Sequence, residues 1–332
     1  MASGYHRHPA QLNSLFGSDA ELLRLEECGG NVIALTTDGI VEEIQQGLYS
    51  GPFLIGWMTV VASLSDLAAV GARPEGVLLQ FNLPPNLEEA FLEGLQKGAE
   101  AACRACGAYV LGGDLNTAAQ LSTAGTALGV IPSGKVLSRR GCREGNLLYT
   151  TAPLGLGTAF AFERVFGGEA PGITYQPKPR IKEGQMIRGF ASACIDTSDG
   201  LIPGLSQLAF VNDIGFEIST SFSEALHPQA RQLATQAGLP FWIMAAGPHG
   251  DFELLFTIPP ELKTEFLEAA RPMPWKPLFL GTVVEEGLVF DPGHGSPART
   301  EAWQIANLFE EAGGQPQAYL ESLMAFHQTL IQ

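Results

Sequence analysis

Basic residues are scarce in this sequence. Lysine and arginine together number 19, against 35 aspartates and glutamates, so the net charge is −16 at pH 7 over 332 residues. A protein that binds nucleic acid through its backbone needs basic side chains to displace the counterions of the phosphates. We therefore expect no nucleic-acid partner. A phosphorylated ligand is still compatible with this charge, because carboxylates can bind Mg²⁺ and the metal supplies the countercharge.

Cysteines are also few, and long apolar runs are missing. The sequence has five cysteines: Cys28, Cys103, Cys106, Cys142 and Cys194. An odd number in so long a chain does not suit a secreted disulfide framework. The most apolar stretch, Leu54 to Val70, is interrupted by Asp66 and is shorter than the roughly 20 residues of a membrane span, so we expect a buried helix. These features favour a soluble cytoplasmic protein without a membrane partner.

Short apolar, β-branched segments alternate with longer helical segments along the chain. The candidate strands are Val32–Thr37, Val77–Leu83, Tyr109–Leu111, Leu121–Ile131, Leu147–Thr151, Phe216–Ser219, Phe252–Ile258 and Leu278–Val284. The candidate helices are Ile55–Val70, Leu87–Cys106, Gly157–Phe166, Lys182–Ala193, Ile202–Val211, Glu224–Ala237, Glu261–Ala270, Glu301–Ala312 and Gln317–Ile331. The pattern and the length predict an α/β or α+β protein of two domains, at residues 1–140 and 141–332.

Acidic residues near predicted strand ends are the main chemical signal. They are Asp19, Asp38, Asp114, Asp196, Asp199, Asp251 and Glu253, with Asp66 inside a helix. Acidic residues at the carboxyl ends of strands usually face the cleft where α/β proteins bind ligands. Carboxylates that converge there repel one another unless a cation neutralises them. Each residue alone is equally well explained as a helix cap or turn former, but together they predict a site for Mg²⁺ and phosphate.

Three other motifs have plainer explanations. The stretch Gly129–Val136 matches a phosphate-binding P-loop except at Val136, where the motif needs Ser or Thr, so we interpret it as a turn after a strand. Cys103 and Cys106 form a CxxC without the further ligands of a zinc site, which predicts reduced cysteines. His249 lacks a Ser or Cys partner in the sequence and is a weak candidate for a base.

The motifs SDA, TTD, SLSDLAAVGARP, GGD, LSRRG and DTSDGL, in this order, resemble those of thiamine-monophosphate kinase. That family belongs to a superfamily with aminoimidazole ribonucleotide synthetase, selenophosphate synthetase and a hydrogenase-maturation dehydratase. The resemblance extends from about Phe16 to Ile258. It implies two α/β domains, with the N-terminal domains of two subunits paired into a shared β-barrel. It also implies a homodimer that binds Mg-ATP in a cleft beside that interface.

The resemblance assigns a role to each matching position. It implies Mg²⁺ ligands at Asp19, Asp38, Asp66, Asp114, Asp196 and Asp199, with further oxygen ligands at Thr36 and Thr37. It implies ATP contacts at Gly113, Asp114, Arg139 and Ser198. Asp38 and Asp199 are expected to be catalytic. The implied cofactor is Mg²⁺, and the implied substrates are ATP and a small-molecule acceptor. The residue types suit phosphoryl transfer, in which Mg²⁺ and arginine neutralise the phosphate charge.

The sequence departs from the kinase pattern mainly at positions implied to contact the acceptor. Ser18 replaces the first aspartate of the first motif, and Gln45 and Gln46 replace a histidine and its aromatic neighbour. Gly250 replaces the acceptor-contacting glutamate. We therefore expect an ATP- and Mg²⁺-dependent phosphotransferase with weak activity on thiamine monophosphate. The alternatives are an ATP-binding regulatory or assembly protein without kinase activity, and an ATP-dependent ligase or dehydratase of the same superfamily.

Overall fold

The computed structural model describes residues 8–14, 16–25, 29–167 and 172–332; Cys28 lies outside them. The chain divides into two compact units. The first unit contains the described residues up to Ser138 together with Gln176–Gly189, and the second contains Arg139–Tyr175 and Phe190–Gln332. Each unit combines a β-sheet with helices, which confirms the predicted mixed α/β class.

The secondary-structure elements alternate along the chain. The strands are β1 Glu21–Arg24, β2 Val32–Gly39, β3 Arg73–Leu83, β4 Tyr109–Thr117, β5 Ser122–Ile131, β6 Leu147–Thr150, β7 Ala193–Asp196, β8 Gly215–Ile218, β9 Leu254–Ile258, β10 Leu278–Val284, β11 Leu288–Phe290 and β12 Ala298–Thr300. The α-helices are α1 Val41–Gln45, α2 Pro52–Ala69, α3 Glu89–Cys106, α4 Leu156–Phe166, α5 Ile181–Ile187, α6 Leu201–Asn212, α7 Phe222–Ala225, α8 Pro228–Ala237, α9 Lys263–Ala270, α10 Ala302–Ala306, α11 Leu308–Glu311 and α12 Pro316–Leu330. Short 3₁₀ helices cover Phe241–Ala245 and Pro260–Leu262.

The first unit is a five-stranded sheet in the order β1-β2-β5-β3-β4, packed against α2 and α3. Only the β3–β4 pair is parallel among its described strands. Helix α2 contacts β5, α3 and α5, so it is buried along nearly its whole length. It is long and apolar enough to cross a membrane by length and composition, but 78% of it is buried inside the protein. This confirms the predicted buried helix.

Residues 176–189 return to the first unit after the chain has entered the second. The indole Nε1 of Trp57 in α2 donates a hydrogen bond to the carbonyl oxygen of Pro177 at 2.7 Å. The side-chain amide of Gln185 in α5 donates to the carbonyl oxygen of Ala72 at 3.3 Å. These contacts hold residues 176–189 against α2 and the residues that directly follow it.

The second unit is built on a seven-stranded sheet in the order β12-β11-β8-β10-β6-β9-β7. Side chains alternate across β6, so Leu148 enters the main apolar cluster while Tyr149 joins an aromatic group with Phe256 and Phe266 on the other face. Both faces of the central strands are therefore buried. All five residues of β9 are buried, which explains its uninterrupted apolar sequence.

Three predicted helices differ in the structure, and one of them, Glu301–Ala312, is divided at Asn307 into α10 and α11. The predicted helix Lys182–Ala193 ends at Ile187, and Ala193 instead begins the buried edge strand β7. A short apolar run has no periodicity that separates a strand from a helix. The predicted helix Glu224–Ala237 is broken into α7 and α8 before Pro228, because proline disfavours the helical conformation of the residue preceding it.

Candidate active site

Asp66 occupies a singular position in helix α2. Asp66 is partly exposed, whereas all the remaining residues of the helix from Ile55 to Ala69 are buried. The hydroxyl Oγ1 of Thr36, on β2, donates a hydrogen bond to Oδ2 of Asp66 at 2.5 Å. Strand β2 therefore fixes the orientation of the one charged side chain in this helix.

A second carboxylate lies close to Asp66. One carboxylate oxygen of Asp19 and one of Asp66 lie within 4.8 Å of each other, and both residues are only partly exposed. Two negative charges at this distance repel each other unless a cation lies between them. The neighbouring Ser18 has a buried hydroxyl oxygen with no hydrogen-bond partner among the described residues. These oxygen donors fit a hard divalent cation such as Mg²⁺.

The other predicted ligands of the first unit lie elsewhere on its sheet. Asp38 is exposed near the end of β2, where its Oδ1 accepts a hydrogen bond from the amide of Gly39 at 2.8 Å. Thr37 directs its hydroxyl to the carbonyl oxygen of Gly125 on β5, at 3.1 Å. Among the residues that the structure describes, Asp38 and Asp114 do not join the close carboxylate group that contains Asp19 and Asp66.

Gly113 and Asp114 lie within strand β4, which extends beyond the predicted strand Tyr109–Leu111 as far as Thr117. Gly113 pairs with Leu79 of β3, and a Cβ atom at Gly113 would lie 2.0 Å from the carbonyl oxygen of Leu79. Packing between the two strands thus requires glycine here, independently of the ATP contact that the resemblance implies. Asp114 is exposed, and its Oδ2 accepts a hydrogen bond from the side-chain amide of Asn116 at 2.6 Å.

In the second unit, the DTSDGL motif forms the turn from β7 into α6. Asp196 ends the strand and is buried, and the Ser198 hydroxyl donates to its Oδ1 at 2.9 Å. Asp199 is exposed just before helix α6 begins at Leu201. The backbone amides at this helix start carry a partial positive charge that favours anions. Arg139 is partly exposed, and its carbonyl oxygen accepts a hydrogen bond from Asn212 at 2.8 Å.

The loop before β9 packs directly on this turn. The amide of Gly250 donates to the carbonyl oxygen of Ser198 at 2.9 Å, and the amide of Asp251 donates to that of Thr197 at 3.0 Å. The Thr197 amide in turn donates to the carbonyl oxygen of Glu253 at 2.8 Å. Backbone hydrogen bonds in both directions therefore lock the two segments together.

Comparison with known proteins places this arrangement in a family. Residues 17–131 match the family described as AIR synthase related protein, N-terminal domain. The thiamine-monophosphate kinase of Methanospirillum hungatei is 35% identical over 62% of this chain and 68% of its own length. That of Escherichia coli K12 is 32% identical over 76% of this chain and 78% of its own length. The chain belongs to the thiamine-monophosphate kinase family. It is an enzyme of the ATP-dependent kinase class.

The fold agrees with this membership. AaThiL, in complex with AMPPCP and TMP, superposes with a TM-score of 0.71 over 85% of this chain and 90% of its own, at 23% identity. At that identity the likeness concerns the fold alone. The predicted resemblance to the thiamine-monophosphate kinases and to the wider AIR synthase superfamily is confirmed.

Gly250 differs from the kinase pattern, and the structure gives this difference a steric basis. A Cβ atom at Gly250 would lie 1.7 Å from the carbonyl oxygen of Thr197 and 2.6 Å from that of Ser198. The obstacle is backbone, so a small rotation of a side chain cannot relieve it. The glutamate that the family pattern expects at this position therefore cannot be accommodated while the loop packs on the turn.

Gln45, at the other departure from the kinase pattern, lies in the first unit. It ends helix α1, and its side-chain amide donates a hydrogen bond to Oε1 of Gln120 at 3.1 Å. The Gln45 side chain thus forms a hydrogen bond within the first unit, at the position where the family pattern has a histidine ring.

Two carboxylates behind the loop are structural, a role the sequence did not reveal. Asp251 is buried and accepts hydrogen bonds from the amides of Gly155 and Gly157 at 2.7 and 2.9 Å, at the start of helix α4. Glu253 is buried as well, and the hydroxyl of Thr151 donates to it at 2.5 Å. Neither Gly155 nor Thr151 lies in a recognisable motif. The contacts join segments about 100 residues apart, so no local pattern in the sequence reveals them.

His249 is a packed neutral histidine rather than a solvent-facing base. Its ring lies against those of Tyr175 and Phe160, with centroid distances of 5.1 and 6.0 Å. Burial lowers the pKa of His249 to about 4. The Tyr175 hydroxyl donates to the carbonyl oxygen of Gly250 at 2.7 Å, so this aromatic group supports the loop that bears Gly250.

The remaining motifs have the plain explanations that the sequence predicted. Burial raises the pKa of the Cys103 thiol to about 11 and that of Cys106 to about 12, so both are protonated at neutral pH. The stretch Gly129–Val136 leaves β5 in an irregular turn with no helix after it, which excludes a P-loop.

The shifted pKa values of Asp251 and His249 are expected to make the free energy of unfolding depend on pH in opposite directions. Burial raises the pKa of Asp251 from 3.8 to about 6, so its stabilising contribution is present below pH 4 and is lost as the pH rises to 6. His249, whose pKa falls from 6.5 to about 4, contributes stability above pH 6.5 that is lost as the pH falls to 4.

Single variants should separate these two contributions. In His249→Gln the free energy of unfolding should fall by about 3 kcal/mol from pH 4 to 6, and in Asp251→Asn it should rise by about 3 kcal/mol from pH 4 to 6.5. The wild type should be nearly flat between these limits, because the contributions oppose each other. Urea unfolding at half-unit pH steps measures the slopes. Equal slopes in the two variants would contradict this account.

Proposed function

We propose that the chain catalyses Mg²⁺-dependent transfer of the γ-phosphoryl group of ATP to a small-molecule acceptor. The observation that carries the proposal is the pair formed by Asp19 and Asp66, held within 4.8 Å beside the hydroxyl of Thr36. Membership of the kinase family supports ATP as the donor, and the fold of AaThiL, in complex with AMPPCP and TMP, agrees with it.

Each unit contains groups of the kind that this chemistry needs. In the first unit, Asp19 and Asp66 would hold Mg²⁺, while Thr36 keeps Asp66 oriented. Bound Mg²⁺ neutralises negative charge on the phosphates as the transferred group leaves ATP. In the second unit, Asp196 and Asp199 are the further proposed ligands, Ser198 and the start of α6 offer hydrogen-bond donors, and Arg139 offers a guanidinium. We keep Asp38, Thr37, Gly113 and Asp114 as proposed contacts of the nucleotide or its metal.

We propose an acceptor that lacks the positive charge that thiamine monophosphate presents. That molecule carries a cationic thiazolium, for which a glutamate is a natural partner. At position 250 no side chain fits above the Thr197 carbonyl oxygen, and Gln45 supplies an amide where the pattern has a ring. Thiamine monophosphate would thus lose two contacts, each of which typically contributes about 1–3 kcal/mol.

Formation of thiamine pyrophosphate from thiamine monophosphate tests the acceptor. We expect this chain to be about 100-fold slower, as kcat/KM, than the Escherichia coli kinase assayed beside it, because two lost contacts of about 1.4 kcal/mol each give that factor. Binding of AMPPCP with Mg²⁺, measured by calorimetry, should remain at micromolar affinity. Turnover equal to that of the Escherichia coli enzyme would establish thiamine monophosphate as the substrate, while nucleotide binding without turnover of any acceptor would favour a regulatory protein.

We further propose that the first unit forms a homodimer through β4. Tyr109 and Leu115 on this edge strand are 72% and 58% exposed, and Leu78 of the neighbouring β3 is 49% exposed. An apolar edge strand of nine residues is an unusual surface for a monomer, because it can pair with a strand of another chain. A second copy would cover it, as in the shared β-barrel that the family resemblance implies.

Light scattering at micromolar concentration should therefore give the mass of a dimer. Leu115→Glu should give a monomer, since a carboxylate cannot be buried in an apolar interface without a partner. Leu267→Glu, at a 38% exposed position of α9 in the second unit, is the matched control and should remain a dimer. A monomeric wild type would refute the proposed assembly.

A further inference from the structure

The second unit carries an open groove that the proposed kinase reaction does not use. It has a volume of about 500 Å³ and lies between the outer side of α6, the turn that joins β10 to β11, and the start of α10. Its walls include two exposed aromatic side chains, Phe210 from α6 and Trp303 from α10, and the buried Phe216 also lines it. No residue proposed for the nucleotide site lines it.

The two aromatic residues are exposed to an unusual degree. Phe210 is 82% exposed and Trp303 is 53% exposed, whereas the other three tryptophans, Trp57, Trp242 and Trp275, are all buried. Large apolar side chains that share one groove and remain in water forgo the free energy of burial. Such a patch is typical of a surface that binds another molecule.

The rim of the groove is acidic. Asp213, Glu285, Glu286 and Glu301 line it, and none of its described lining residues is a lysine or arginine. Arg299 approaches from outside and forms a 3.6 Å ion pair with Glu286, but both side chains are largely exposed, so the pair is weak. The rim therefore keeps a negative field.

This charge decides which kind of partner fits. The acidic rim would repel nucleic acid and anionic membranes. Basic side chains are attracted to the carboxylates, and the flat faces of Phe210 and Trp303 attract cations as well. The apolar walls between them favour an aliphatic side chain.

We propose that this groove docks a segment of a partner protein in which aliphatic residues alternate with lysine or arginine. An aliphatic side chain would lie between Phe210 and Trp303, and the flanking basic groups would meet Glu285 and Glu286. The proposal concerns a surface apart from the phosphoryl-transfer residues, so it stands or falls independently of the proposed reaction.

A labelled peptide of sequence KLRLK, capped at both ends, is the probe. Fluorescence anisotropy with the full chain should give a dissociation constant below about 100 µM at 0.1 M salt. The Phe210→Ser variant should bind at least about 10-fold more weakly, and Glu285→Lys combined with Glu286→Lys should weaken binding at least as much. Calorimetric binding of AMPPCP with Mg²⁺ should be unchanged in these variants.

The controls separate docking from general attraction to an acidic protein. Glu265→Lys combined with Glu268→Lys makes the same charge change on exposed positions of α9 in the same unit, and it should alter binding less than 2-fold. Equal weakening by the two double variants, or equal affinity for the peptide ELELE, would overturn the proposal. Binding of arginine amide as tightly as the peptide would also overturn it, in favour of a small-cation site.

Discussion

Replacing Asp66 with asparagine is expected to abolish Mg²⁺-dependent binding of ATP while leaving the fold intact. Asparagine keeps an oxygen that can accept the hydrogen bond from Thr36, but it removes the charge that holds a divalent cation. We expect the affinity for AMPPCP in the presence of Mg²⁺ to fall at least about 100-fold, because the metal bridges the protein to the phosphates. Calorimetry measures this loss directly.

Although Asp66→Asn should lose nucleotide binding, it should not lower the stability of the protein. Without Mg²⁺, Asp19 and Asp66 repel each other across at most 4.8 Å, so the neutral asparagine should leave the melting temperature unchanged or raise it. Asp213→Asn is the matched control, since Asp213 is exposed and adopts a left-handed conformation that asparagine tolerates well. Unchanged nucleotide affinity of Asp66→Asn would remove Asp66 from the metal site.

The largest effect on stability is expected from Gly250→Ala. The added methyl group would lie 1.7 Å from the Thr197 carbonyl oxygen and 2.6 Å from the Gly200 amide nitrogen. Relief requires the loop to leave the turn, which breaks the hydrogen bonds from the amides of Gly250 and Asp251. Overpacking together with buried polar groups left unpaired should cost at least about 4 kcal/mol of unfolding free energy.

Urea unfolding of Gly250→Ala measures this cost, and Gly204→Ala is its control. Gly204 lies in helix α6, and its nearest contact for an added Cβ is an ordinary 3.6 Å. Alanine there should be neutral or should stabilise the protein by up to about 1 kcal/mol. If Gly250→Ala proves as stable as the wild type, the loop can yield, and a glutamate at this position would be admissible after all.

The sequence predicted what depends on local pattern. The apolar run of α2 with a single aspartate indicated a buried helix, and the structure shows Asp66 as its one partly exposed residue between Ile55 and Ala69. The alternation of strands and helices gave the mixed α/β class. The resemblance to the kinases implied metal ligands at Asp19 and Asp66, and one oxygen of each carboxylate lies within 4.8 Å of the other.

The features that the sequence could not predict depend on contacts between distant segments. The exclusion of a side chain at Gly250 depends on Thr197, more than 50 residues earlier. Strand β7 is absent from the predicted strands, and the predicted helix Lys182–Ala193 reaches its first residue, because the burial of β7 comes from pairing with β9 and not from its own periodicity. The predicted strand Tyr109–Leu111 is too short, because pairing with β3 extends β4 to Thr117.

The most direct test of the proposed metal site is the position of a bound metal in a crystal. Crystals grown with AMPPCP and Mn²⁺ in place of Mg²⁺ allow the metal to be located by anomalous diffraction. We predict a peak within about 2.3 Å of a carboxylate oxygen of Asp66, close to the oxygen distance of a hard divalent cation, and a second ligand from Asp19. Bound nucleotide with no anomalous peak at these two carboxylates would contradict the account.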